Sequence, residues 1–161
     1  MNLQQLFKMQ KELDDFIEKT QNIERNVFKE KGLALMVELA ELANETRCFK
    51  FWSTKGASER EVILEEYVDS IHFILSLGLL KGYTEIEKWP VIEEKRDLTE
   101  TFLMTQDYIL SFISQPTEDR YLAIWQCYGL LAFNLGFSFE DVVTAYIEKN
   151  EENYKRQRSG Y

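Results

Sequence analysis

Breakers are scarce in this chain: two prolines and seven glycines are spread over 161 residues. That leaves little turn chemistry for a sheet of short strands. Neither an alternating apolar pattern nor an internal repeat is present, so long helices are expected. Cysteine is nearly absent too. Cys48 and Cys127 fall in no disulfide or metal-ligand pattern, which argues against a disulfide scaffold and suits reduced thiols in the cytoplasm. Basic charge is in deficit, with 19 Lys and Arg against 28 Asp and Glu and a net charge of −9. That balance argues against nonspecific binding to nucleic acid or to an anionic membrane. The longest apolar run, Ile71–Leu80, contains His72 and is too short to span a bilayer. The opening residues MNLQQLFKMQKELDD lack the basic start and apolar block of a signal peptide, so a cytoplasmic location is expected.

What the chain has in quantity is apolar residues, 45% of the total, enough to give one domain over residues 1–161 a real core. Apolar spacing predicts an all-α bundle of five to six helices. The first covers about Leu3–Lys19, with a stripe of Leu3, Leu6, Met9, Leu13, Phe16 and Ile17. The second covers about Val27–Thr46, with Gly32 as a weak point. The third is expected to open at Ser58, which with Glu61 has the spacing of a capping box, and to stop at Gly82. An irregular link around Pro90 leads to a fourth helix from about Glu93 to Ser114. Pro116 breaks it, and Thr117 caps a fifth that runs to Gly136. Ser138, with Asp141 at its N3 position, caps the last. The fourth and fifth carry no convergent chemistry and read as scaffold and subunit interface.

Two acid pairs organise the sequence. Glu38 and Glu41 in helix two, and Glu66 and Asp69 in helix three, each have i, i+3 spacing, which puts both carboxylates on one helix face. Apolar residues flank all four. If the two helices pack antiparallel, the carboxylates converge, repel one another and lose hydration, and their pKa values rise. A divalent cation removes that penalty, and an all-oxygen ligand set favours a hard ion such as Mg²⁺. Such an ion usually serves phosphates. The alternative is two amphipathic helices whose acids face water. Glu45, on the face of the first pair, either approaches the ion or points to solvent.

Other residues carry two readings each. Gln10 lies within the apolar stripe of helix one, as an edge position or as an amide that meets a ligand. Trp52 and Lys55 lie in the loop RCFKFWSTKGA: the indole either stacks on a base or folds onto the core, and the ammonium either meets phosphate or is solvated. His72, one turn past Asp69, is a satisfied core residue or a catalyst. Lys149, Asn153 and Arg156 form a stripe at i, i+4, i+7 in an acidic protein. They either clamp phosphates or belong to a frayed end.

The chain resembles the dimeric all-α dUTPases, within the wider MazG-like all-α nucleotide pyrophosphohydrolases. The resemblance rests on the acid quartet together with MQKELDDFI, ETRCFKFWSTK and AYIEKNEENYKRQRSGY, and so covers essentially the whole chain. It implies a homodimer that hydrolyses dUTP, and dUDP, to dUMP, with pyrophosphate released from dUTP. It implies two or more Mg²⁺ ions on Glu38, Glu41, Glu66 and Asp69, with Glu38 or Glu41 as general base. Lys55, Lys149, Asn153 and Arg156 match phosphate contacts, and Gln10 and Trp52 match contacts to uracil. Asp14 is a further candidate there, although some relatives carry Asn at that position. Two competing functions are a pyrophosphohydrolase for dCTP or for nucleoside triphosphates broadly, and a protein-binding regulator on the same scaffold.

Overall fold

The computed structural model describes residues 1–161 as six helices without strands: α1 Leu3–Gln21, α2 Phe28–Thr46, α3 Arg60–Lys81, α4 Leu98–Ser114, α5 Glu118–Leu135 and α6 Phe139–Arg158. The all-α expectation holds. No single helix is long and apolar enough to cross a membrane.

α3 is the central helix. It is apolar almost all round, with Ile63, Tyr67, Val68, Ile71, Ile74, Leu75 and Leu77 buried, as expected for a helix covered on every side. It packs against α1, α2 and α6, while α4 packs on α2 and α5. α2 and α3 run antiparallel. Lys31 bonds Ser76, Glu38 clusters with Glu66 and Asp69, and Glu45 bonds Ser58, so the pairs advance along α2 as they retreat along α3.

Gly32 does not weaken α2. A Cβ there would lie 2.7 Å from Ile113 Cγ1, so the missing side chain lets α4 approach closely. Large aromatics fill the far side of α3: Tyr67 donates to the Tyr128 carbonyl at 2.7 Å, and Tyr121 to that of Ile74 at 2.7 Å. The irregular link before α4 covers this core with Trp89, which packs on Tyr67, Trp125 and Phe139.

Three expectations need correction. α3 starts at Arg60 with Glu59 as N-cap and has no side-chain cap; the Ser58 hydroxyl donates to the Glu45 carboxylate instead, so the Ser58–Glu61 box does not form. α4 starts at Leu98 rather than Glu93, because Asp97 caps it by accepting from the Glu100 N–H. α5 is largely core, with Tyr121, Ile124, Trp125, Tyr128 and Leu131 buried, so the apolar surplus lies elsewhere. Leu103 and Leu110 on α4 and Leu33 and Val37 on α2 are exposed.

Candidate active site

The antiparallel packing of α2 and α3 brings Glu38, Glu66 and Asp69 together, each offering a carboxylate oxygen within 4.8 Å of the others. Glu41, one turn beyond Glu38, is exposed at the edge of this group and within side-chain reach of Glu38. Glu45 is engaged with Ser58. Burial, together with Glu41 and the Asp69 charge, pushes Glu38 up to about 8. Burial and the Asp69 charge push Glu66 up to about 7. Burial raises Asp69 to about 6 even though Lys149 pulls it down.

Glu38 Oε2 is buried and has no hydrogen-bond partner. A buried carboxylate oxygen without a donor, beside two more carboxylates, is the arrangement that a hard divalent cation would satisfy. The residues present therefore fit a metal.

The sign of the pH effect follows. These acids have folded pKa values above their unfolded ones, so the stability linked to their protons is complete below about pH 4 and is lost as pH rises through the folded values. The melting temperature of metal-free protein is expected to fall between about pH 5 and pH 8. A Tm that rises across this window would mean that the acids are not held against their charge.

Glu38 and Asp69 also line a cavity of about 360 Å³ between α1, α2, α3 and α6. Gln10, Asp14, Lys149, Asn153 and Arg156 line it too. Five dispersed sequence candidates thus share one space with two of the acids. Trp52 and Lys55 do not reach it. The Trp52 indole is 65% exposed and packs edge-on against Phe49 and Phe51, so it neither enters the cavity nor folds onto the core. Lys55 is exposed in the same loop.

The basic stripe is not a frayed end. α6 is helical to Arg158. Lys149 is buried, with ion pairs to Glu65 at 3.0 Å, Asp69 at 3.3 Å and Glu152 at 3.4 Å. Burial works against its charge, but the hydrogen bond to Glu65 and the charge of Asp69 outweigh it, and its pKa is raised. Arg156 pairs with Glu152 at 2.6 Å and lies over the Tyr161 ring. Phe16 of α1 packs on Tyr154 with ring centroids 5.1 Å apart, and Gln21 bonds Gln157, which fixes the last turns.

Sequence reasoning missed a polar network at the α1–α3 side of the cavity. Asp14 Oδ2 accepts from Ser76 at 2.6 Å and lies 3.6 Å from Lys31, which itself donates to Ser76 at 2.6 Å. Spacing carried a signal for both: Lys31 is seven residues before Glu38, and Ser76 seven after Asp69, so each shares the face of an acid already singled out. His72 is buried and stacks on Tyr146 at 4.3 Å. Desolvation lowers its pKa to about 3, and it is neutral.

An all-α bundle with a carboxylate cluster on the wall of a single polar cavity has the parts of a metal-assisted hydrolase. The family described as dUTPase matches residues 2–161, and the chain belongs to it. It is an enzyme of the dUTP diphosphatase type, and its substrate is a nucleotide. Among curated proteins, none matches the chain.

Proposed function

We propose that the protein is a Mg²⁺-dependent dUTP pyrophosphatase that converts dUTP, and dUDP, to dUMP, releasing pyrophosphate from dUTP. The observation that carries this reading is the acid cluster, with its unpartnered Glu38 oxygen, on the wall of the cavity that also holds Gln10, Asp14 and the basic stripe.

Glu38, Glu41, Glu66 and Asp69 would hold Mg²⁺, two or more ions per site, and the metal would neutralise and orient the phosphates. Glu38 or Glu41 accepts the proton of the attacking water, a role suited to a carboxylate whose pKa lies near the working pH. Lys149, Asn153 and Arg156 stabilise negative charge on the phosphates from the α6 side. Gln10 and Asp14 meet the base. Gln10 Nε2 donates one hydrogen to Asp14 Oδ1 at 2.8 Å, which leaves a second N–H beside a carboxylate acceptor. That pair matches a ring carbonyl and the N3–H of uracil. Lys55 acts on phosphate and Trp52 on the base only if the loop after α2 closes over the cavity or a second copy supplies them.

The N3 and amino edge of cytosine also matches a donor beside an acceptor, and this keeps dCTP as the second reading. Purified protein with Mg²⁺ and a panel of dUTP, dUDP, dCTP, dTTP and UTP separates the two. Turnover of dUTP is expected to exceed that of dCTP by at least about tenfold in kcat/KM, the discrimination that one mismatched polar contact provides. Equal turnover would remove the uracil assignment.

The exposed apolar positions of α2 and α4 support a homodimer, and the two free cysteines fit a cytoplasmic location. Light scattering should return about twice the 19.1 kDa chain mass. A monomer at micromolar concentration would contradict the dimer.

A further inference from the structure

Gln10 is 3% exposed, yet its carboxamide is fully engaged on one side. Its Oε1 receives two contacts: His72 Nδ1 at 2.7 Å and the Tyr146 hydroxyl at 2.9 Å. Its Nε2 donates to Asp14 Oδ1 at 2.8 Å. The reverse orientation would set two oxygens against each other at the Asp14 contact and turn the amide nitrogen toward His72 and Tyr146. Since Oε1 can only accept, His72 carries its proton on Nδ1. The other ring nitrogen, Nε2, is buried without a partner. Tyr146 stacks on the imidazole and is itself fully buried. The two donors therefore come from rigid groups on two different helices, α3 and α6.

We propose that His72 and Tyr146 are positioning residues that lock the Gln10 carboxamide so that it offers the cavity an N–H donor and never an acceptor. This rests on the reading of Gln10 as a contact to the base. The lock prepares a donor beside the Asp14 acceptor before the nucleotide arrives, so binding does not have to order a long amide side chain. The chemistry it selects is a pyrimidine edge that presents a carbonyl oxygen to Gln10. α6 thus serves both ends of the nucleotide: Tyr146 acts on the base through Gln10, and Lys149, one turn later, faces the acid cluster.

The test is a double-mutant cycle read by dUMP binding, which needs no hydrolysis. Tyr146→Phe keeps the stacked ring and removes one donor. The Kd for dUMP is expected to rise about tenfold, the usual size for one hydrogen bond lost in a site, and kcat for dUTP should change by less than about twofold. In a Gln10→Ala background the same substitution should have no further effect on Kd. His72→Leu should weaken dUMP binding as Tyr146→Phe does, and His72→Asn, which keeps an N–H near the Nδ1 position, should restore it. If Tyr146→Phe weakens binding equally in both backgrounds, or not at all in the parent, the lock is overturned and the reading of Gln10 stands. If Gln10→Ala leaves the dUMP Kd unchanged, the base-contact reading itself falls, and the lock with it.

Discussion

Glu66→Gln, Asp69→Asn and Glu41→Gln are each expected to abolish Mg²⁺-dependent hydrolysis of dUTP while leaving the helical fold intact. The loss in kcat/KM should be about a thousandfold or more, equivalent to roughly 4 kcal/mol of transition-state stabilisation. The reason is the shared task of these oxygens: Glu38, Glu66 and Asp69 converge within 4.8 Å, so removing one charge leaves an ion with too few anionic ligands. The same change relieves the metal-free protein. Ionised Glu66 and Asp69 are held against both desolvation and mutual repulsion, so their amides should melt higher than the parent at pH 8 without metal. Added Mg²⁺ should raise the parent's Tm and leave that of the variants nearly unchanged. Opposite movements of activity and metal-free Tm distinguish a metal site from a merely structural cluster. Near-parental kcat/KM in any two of the three would remove the metal-site assignment.

Loss of the α6 cations is expected to have the second-largest effect. Lys149 is buried between Glu65, Asp69 and Glu152, and Arg156 lines the same cavity further along the helix. Neither can ligate a cation, so a phosphate chain is their natural partner on the side facing away from the acids. Arg156→Ala should lower kcat/KM for dUTP by about one to three factors of ten, at about 1.4 kcal/mol per factor. It should leave Mg²⁺ binding to the free protein nearly unchanged. Truncation after Asn150 should reproduce this loss. It should also lower Tm, because it removes Tyr154 from its packing on Phe16 and Gln157 from its bond with Gln21. A truncated protein with kcat/KM within twofold of full length would make the last turns of α6 a solvated end.

The acids were legible because their geometry is local. Spacing i, i+3 fixes a shared helix face, and the antiparallel return of α3 on α2 needs only a loop of moderate length. The helix ends at Gly82, Gln115 and Gly136 were legible for the same reason, each marked by a breaker at or just after the last turn. The start of α3 was not, because Ser58 has a competing partner, Glu45, on another helix. The order of the tail was hidden for a similar reason. Its polar sequence reads as solvated until Lys149 is seen to be the counter-ion of a buried acid. The His72–Gln10–Tyr146 group joins α1, α3 and α6, and no spacing within one helix announces it. Trp52 shows the limit in the other direction: its residue type suggests a base contact, but its loop holds it outside the cavity.

The measurement that tests the central claim most directly is phosphorus NMR of dUTP turnover by the parent protein, run with Mg²⁺ and again after chelation. The account predicts dUMP and pyrophosphate as the only products with Mg²⁺, and no turnover after chelation. Orthophosphate as the first product, or an undiminished rate in the chelated sample, would contradict it.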